Sequence, residues 1–214
     1  MVKQESTPST PTSGLRGRRA VQAEQTRSEI LGAARHHFAA NGYAATSVKE
    51  IAAEAGVSVQ TVYDSVGSKP DLVRRLNDLI DAEAEVGEIA ATIETETDPV
   101  ALAAIAARVT RRIIERCGDI VRASFDGARA DPDLAPVAIE GGRRHRAGAA
   151  AIAARLSSLG ALRPDLTAEA ATTTIAALAE TRLALVLIDD HGLDLDQLER
   201  WIASTTAVAI LADA

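Results

Sequence analysis

Aromatic residues are nearly missing from this 214-residue chain: one tryptophan, two tyrosines and two phenylalanines make up 2% of it. Its 47% apolar content must therefore build a core from Ala, Leu, Ile and Val. Alanine, the best helix former, dominates, and alternating β-branched runs are few, which predicts an all-α protein. One cysteine, Cys117, excludes an internal disulfide and a cysteine-rich zinc site, and fits a reducing compartment. No apolar run approaches the ~20 residues that cross a bilayer. The first twenty residues lack the apolar segment of a secretory signal. Together these absences predict a cytoplasmic protein with no membrane partner. No His-Glu-x-x-His, Walker loop or Gly-x-Ser-x-Gly occurs, so no enzyme activity and no cofactor are expected. His36 and His37 are adjacent on a helix and should face different directions. His145 and His191 are isolated, and Asp189-Asp190-His191 reads as a solvated helix end. No metal is expected.

The chain carries a net charge of −7, unevenly placed. Residues 1–75 hold ten Lys/Arg against seven Asp/Glu, a net of +3, and residues 76–214 hold thirteen against twenty-three, a net of −10. A basic N-terminal part and an acidic remainder suit a polyanionic partner for the first part only.

The length suits one or two domains. Residues 1–22, polar and Pro/Ser/Thr-rich, read as a flexible arm in which Arg18 and Arg19 are placed to enter a DNA minor groove. Residues 23–75 read as three helices. The first runs from about Glu24 to Ala40 with Ile30, Leu31, Ala34 and Phe38 inward, ended by Asn41-Gly42. Ser47 caps the second, with Glu50 completing a capping box. Gly56 stops it, and Ser58 caps the third, Val59-Gln60-Thr61-Val62-Tyr63. Ser68, with Asp71 three residues on, caps a long fourth helix reaching about Ala91. Two short helices joined by a tight turn make a helix-turn-helix, whose second helix can enter the major groove.

Ile51-Ala52, Ala55-Gly56-Val57-Ser58, Thr61, Tyr63, Ser68-Lys69 and Leu72 resemble the TetR family of transcriptional regulators. Phe38-Ala39 and Asn41-Gly42-Tyr43 also fit that pattern. The resemblance covers roughly residues 25–75. Val66 departs from it, standing where the family usually has phenylalanine, but can fill the same core position with less volume. The fold so implied is all-α: an N-terminal three-helix helix-turn-helix domain joined by a long helix to a helical C-terminal ligand-binding and dimerisation domain.

With Val62 pointing inward beside Val57 and Val66, the residues left for DNA are Val59, Gln60, Thr61 and Tyr63. Gln60 is the chemically best base reader, since its amide can pair with adenine. Val59 and the Thr61 methyl suit thymine methyls. The resemblance supports Thr61, Tyr63 and Lys69 as phosphate contacts, and Ser47, like Lys69, stands at a helix start where phosphate is favoured.

Residues 76–214 read as an effector-binding and dimerisation domain. Asp98-Pro99 starts a helix broken at Gly118, and a short helix follows from about Asp119. Asp131-Pro132 opens a long segment with a weak point at Gly141-Gly142. Thr167 caps a helix running to about Asp189, and Asp194 with Gln197 caps the last. The last two helices are apolar around more than one face, which predicts a homodimer built through them as a four-helix bundle. In the resembled family this domain binds a small molecule and releases DNA. Arg112, Arg116, Phe125, Glu140, Arg144, Thr173, Thr174 and Glu180 are the candidate effector-binding residues. The expected function is a homodimeric repressor released from an inverted-repeat operator by a small-molecule effector. The second reading left open is an all-α ligand carrier or enzyme whose helix-turn-helix is architectural only.

Overall fold

The structure, a computed structural model, describes residues 13–212. Its elements are α1 (Ser13–Ala45), α2 (Val48–Glu54), α3 (Val59–Ser65), α4 (Lys69–Glu83), α5 (Val86–Ala91), α6 (Pro99–Ala103), α7 (Ile105–Ala130), α8 (Ala135–Ser158), α9 (Ala168–Leu178), α10 (Thr181–Asp189) and α11 (Leu195–Ile210), with a 3-10 turn at Pro132–Leu134. Among the described residues the sole strand-like feature is an isolated antiparallel bridge of Leu162 with Leu211, which ties the chain's end to the α8–α9 connector. The all-α expectation holds.

The local signals around the helix-turn-helix work as the residues suggest. Ser47 Oγ accepts from the Glu50 N–H at 3.3 Å, and Glu50 accepts from the Ser47 N–H at 2.8 Å, closing the capping box. Gly56 has φ 66°, a left-handed turn that only glycine takes without strain. Ser58 Oγ accepts from the Thr61 N–H at 3.0 Å. The Asp71 carboxylate accepts from the Ser68 N–H and hydroxyl at 2.8 and 2.6 Å. These bonds hold the Glu50 and Asp71 carboxyls below their usual range. A carboxyl lowered in the folded state gives stability that is present above its unfolded pKa and lost as pH falls through the folded value. The acid limb of unfolding, below about pH 4, should therefore flatten in Glu50→Gln and Asp71→Asn. Circular dichroism across pH checks this. Ser47→Ala should cost about 1 kcal/mol at neutral pH.

Several expected boundaries move, each for a visible reason. Residues 13–22 belong to α1 rather than to a free arm; residues 1–12 lie outside the described residues. The first helix does break at Gly42, where φ is 74° and ψ 167°. The fourth helix stops at Glu83 instead of reaching Ala91, because Glu85 adopts φ 54°. Arg116 from α7 donates to the freed Glu83 carbonyl (3.3 Å) and pairs with the Glu85 carboxylate (3.1 Å), holding that break. In α7 the irregular residue is Cys117 (φ −133°, ψ 16°), not Gly118, and the helix continues past it. Gly141-Gly142 leaves α8 unbroken.

The helix expected from Thr167 to Asp189 is two helices, parted at Ala179 and Glu180. Residues 168–189 together are long and apolar enough to cross a membrane by length and composition, which corrects the expectation that no such stretch exists. The parts are 11 and 9 residues long, and neither alone reaches across ~30 Å of hydrocarbon. Side chains hold the parting. Thr110 Oγ1 of α7 donates to the Ala179 carbonyl at 2.8 Å, and His145 Nε2 of α8 to the Ala176 carbonyl at 2.8 Å. These carbonyls would otherwise lack partners at a helix end.

Buried residues form one continuous core, from Ile30 in α1 to Leu211 after α11. Helices α1 and α4 pack against α7, α8 packs against α9, and α11 against α7 and α9. Helices α1 and α4, which flank the helix-turn-helix, thus rest directly on α7 and link it to the C-terminal body. Gly127 makes that approach possible: a Cβ there would lie 2.5 Å from Leu134 Cδ1 and 3.3 Å from the Tyr43 ring.

Candidate nucleic-acid interface and effector cavity

Helix α3 is anchored from below and open above. Val62 is fully buried, Val66 is 7% exposed, and Val57 packs against the core from its edge. Valine at position 66 thus fills the core where the resemblance led one to expect phenylalanine. Arg27 of α1 donates to the Ser65 carbonyl at 3.3 Å and secures the helix's far end. On the outer face Val59 is 37% and Tyr63 48% exposed, large apolar surface that a soluble core would cover. Gln60 is exposed, and its amide donates to Asp64 Oδ1 at 2.8 Å. That bond must open for the amide to meet a base, leaving a helix-surface bond of modest worth to exchange. Thr61 shares a 2.8 Å hydroxyl contact with Ser58.

Beside α3, Lys69 stands at the start of α4 with its ammonium 4.2 Å from the Tyr43 ring centroid. Burial lowers its pKa, so a phosphate oxygen would offset a desolvation already in place. The Tyr43 hydroxyl donates to Asp131 at 2.6 Å. Burial, then this bond, pushes the phenol's pKa up, while Tyr43 holds the Asp131 carboxyl down. Ser47 is occupied by its capping box, its hydroxyl donating to Glu50 at 2.7 Å. Arg18 and Arg19 are exposed on the first turns of α1, well before α2, in helix and not on an arm.

Sequence reasoning did not find the braces behind this interface. Arg35 of α1 donates to both oxygens of Asp119 at 2.5 and 2.9 Å, to Glu83 at 2.6 Å and to the Arg116 carbonyl at 2.5 Å. It thus joins α1, α4 and the irregular turn of α7. Cys117 lies buried there, its thiol pKa pushed up to about 11, mainly by burial and then by Glu83. His36 and His37, expected to diverge, both reach Glu54, at 2.9 and 3.0 Å, and tie α1 to α2. Among the described residues no three His, Cys, Asp or Glu side chains gather as a metal site.

The C-terminal body encloses a cavity of about 530 Å³ between α4, α5, α7, α8 and the α9–α10 parting. Its walls are mainly aliphatic, with Ile80, Ile105, Val109, Ile152 and Ile175 among them. Of the eight candidate effector residues, Phe125, Arg144 and Glu180 line it. The others stand elsewhere. Arg112 and Arg116 pair with Glu85 at the α4–α5 break. Glu140 does not line the cavity but pairs at 2.7 Å with Arg143, which does. The Thr173 and Thr174 hydroxyls bond back to the Glu169 and Ala170 carbonyls of their own helix. Lining residues not foreseen include Asn77, Thr110, His145 and Arg182. Two polar links cross beside the cavity: Arg144 of α8 pairs with Asp81 of α4 at 2.7 Å, and Asn77 of α4 donates to Ser124 of α7 at 2.6 Å.

Known proteins match this arrangement. Residues 30–76 match the family model described as "Bacterial regulatory proteins, tetR family". No curated protein matches the sequence. Among solved structures, SmeT in its triclosan complex aligns with a TM-score of 0.71 at 19% identity, over 89% of this chain and 93% of that one; SmeT is the repressor of the Stenotrophomonas maltophilia multidrug efflux pump SmeDEF. NalD, the secondary repressor of the MexAB-OprM multidrug efflux pump in Pseudomonas aeruginosa, aligns at 0.65 and 20% identity, over 90% and 99%. A TetR transcription regulator from Haloarcula marismortui aligns at 0.67 and 21% identity, over 88% and 99%. The likeness in fold spans nearly the whole chain.

Proposed function

Starting from a tetR-family regulatory domain at residues 30–76 on a body with the TetR-regulator fold, we propose that this chain is a homodimeric transcriptional repressor, acting in the cytoplasm and released from an inverted-repeat operator by a small-molecule effector. The observation that carries the reading is α3: a short helix fixed by a buried Val62 and a Ser58 cap, presenting Val59, Gln60 and Tyr63 to solvent. Such a helix fits a major groove. Thr61, Tyr63 and Lys69 take phosphates, which set register, and Gln60 reads a base. Ser47 adds a helix start near the backbone, and Arg18 and Arg19 add positive charge along α1.

Pairing rests on α10 and α11, where Val186 is 39%, Trp201 37% and Val208 66% exposed. Trp201 and Val208 lie seven residues apart on one face, as a helix packing on its twofold copy requires. The effector reading rests on the cavity's place. It borders α4, which starts at Lys69, and the Arg144–Asp81 and Asn77–Ser124 links hold α4 to its other walls. A ligand that prefers a different spacing of these walls shifts α4 and with it α3. The sign of regulation follows SmeT and NalD, both repressors by description, and SmeT, solved in complex with triclosan, supports a small-molecule effector.

Gln60→Ala tests the base-reading role. Selected binding sites should lose preference at one base pair per half-site, a cost of about 1–3 kcal/mol at that position. Uniform weakening on every sequence would assign Gln60 to the backbone instead. A ligand carrier or enzyme with an architectural helix-turn-helix would show weak, sequence-blind binding in the same selection.

A further inference from the structure

We infer that the cavity takes an aliphatic carboxylate, with its acyl chain inside and its carboxylate at Arg182; this rests on the reading of the cavity as the effector site. The walls set the body of the ligand. They are aliphatic, and Phe125 is the one Phe, Tyr or Trp side chain among the lining residues. A volume of about 530 Å³ falls within the size of small-molecule sites. An alkyl chain gains from burial there through area alone, whereas a flat multi-ring compound would find one ring to stack on.

The charges set the head. Arg143 pairs with Glu140, and Arg144 with Asp81. Glu180 caps α10, accepting from the Arg182 N–H at 3.4 Å and the Thr181 hydroxyl at 3.3 Å. Arg182 differs from all of these. Its guanidinium lies 4.4 Å from the Phe125 ring centroid, and among the described residues no carboxylate pairs with it. It borders the cavity while remaining exposed, so an anion bound to it stays partly hydrated as its tail enters the apolar interior. A planar guanidinium already held over a ring is prepared for two parallel hydrogen bonds to a carboxylate. A cationic head would meet Arg143, Arg144 and Arg182, against Asp81, already held by Arg144, and Glu180, whose Oε1 caps α10.

The α9–α10 parting explains why an arginine stands there. Residues 168–189 are apolar enough to form one helix, yet Thr110 and His145, both lining residues, take the carbonyls that open it. The opening starts α10 at Thr181 and places Arg182 in its first turn, at the cavity's edge.

Calorimetric titration of the full chain with decanoate, 1-decanol and decylammonium tests this, with Arg182→Ala and Arg182→Lys beside the unaltered protein and thermal melts to show that each folds. Decanoate should bind about tenfold or more tighter than the other two, the lower end for a charge-assisted hydrogen bond. Arg182→Ala should remove that preference and leave decanol unchanged, and Arg182→Lys should keep part of it. Equal or tighter binding of decanol or decylammonium, no binding of any probe, or decanoate binding that survives Arg182→Ala unchanged would overturn the inference. Operator binding with each probe present separates it from the broader reading. Decanoate held at Arg182 without loosening DNA keeps the carboxylate site and removes its regulatory role. Release by decanol alone keeps the effector cavity and removes the carboxylate.

Discussion

Val208→Asp should leave the protein folded and monomeric, and should weaken operator binding about a hundredfold or more. Val208 is 66% exposed in the single chain, so the change breaks no internal contact. Surface changes of that kind usually stay within about 0.5 kcal/mol. Across a twofold interface built from α10 and α11 the same change would bury a charge in an apolar patch to which Trp201 and Val186 contribute. Losing the pair loses simultaneous engagement of two half-sites. A second half-site bound from the same particle acts at a high effective concentration, and that gain is lost entirely in a monomer. Binding then falls toward the sequence-independent level of roughly 10⁻⁴–10⁻⁶ M. Sedimentation equilibrium reads the first effect and fluorescence anisotropy on operator DNA the second. A dimer that persists in Val208→Asp would place the interface on another face.

Arg35→Ala should lower stability by about 2–4 kcal/mol, between the value of a charge-assisted hydrogen bond and that of a broken buried ion pair. For a chain of this size that is a fall in melting temperature of roughly 5–15 °C. The guanidinium is 29% exposed and serves Asp119, Glu83 and the Arg116 carbonyl at once. Removing it leaves two half-buried carboxylates facing each other and a kinked carbonyl without its donor. Arg35→Lys should recover little, since one ammonium cannot span three acceptors on three elements. A melting point unchanged from the unaltered protein would mean that α1 and α7 are held by apolar packing alone.

The parts legible in sequence are those governed by neighbours in the chain. Capping pairs such as Ser47 with Glu50 and Asp194 with Gln197 lie three residues apart and form as read. Gly56 and Gly42 stop helices because a left-handed residue does so regardless of context. The inward stripe of Ile30, Ala34 and Phe38 follows from helical period and is buried. What was not legible depends on partners far away in sequence. The stop of α4 at Glu83 needs Arg116, and the α9–α10 parting needs Thr110 and His145. Local propensity alone favours a continuous apolar helix from Ala168 onward, and tertiary hydrogen bonds override it. Arg112 and Arg116, expected on a ligand wall, turn instead to Glu85. Their carboxylate partner sits on a strained turn that no spacing rule announces. Tyr43 and Asp131 are 88 residues apart, and nothing in either neighbourhood signals their bond.

The central claim is that α3, in a symmetric pair, reads duplex DNA. Selection of bound duplexes from a random pool, followed by affinity measurement of the winning sequence at several salt concentrations, tests it most directly. The account predicts an inverted repeat with half-site centres about 34–36 Å apart, or a multiple of that. It also predicts affinity that falls steeply as salt rises, because phosphate contacts release counterions. A pool that stays random after repeated rounds, or binding equally weak on every duplex, would contradict it.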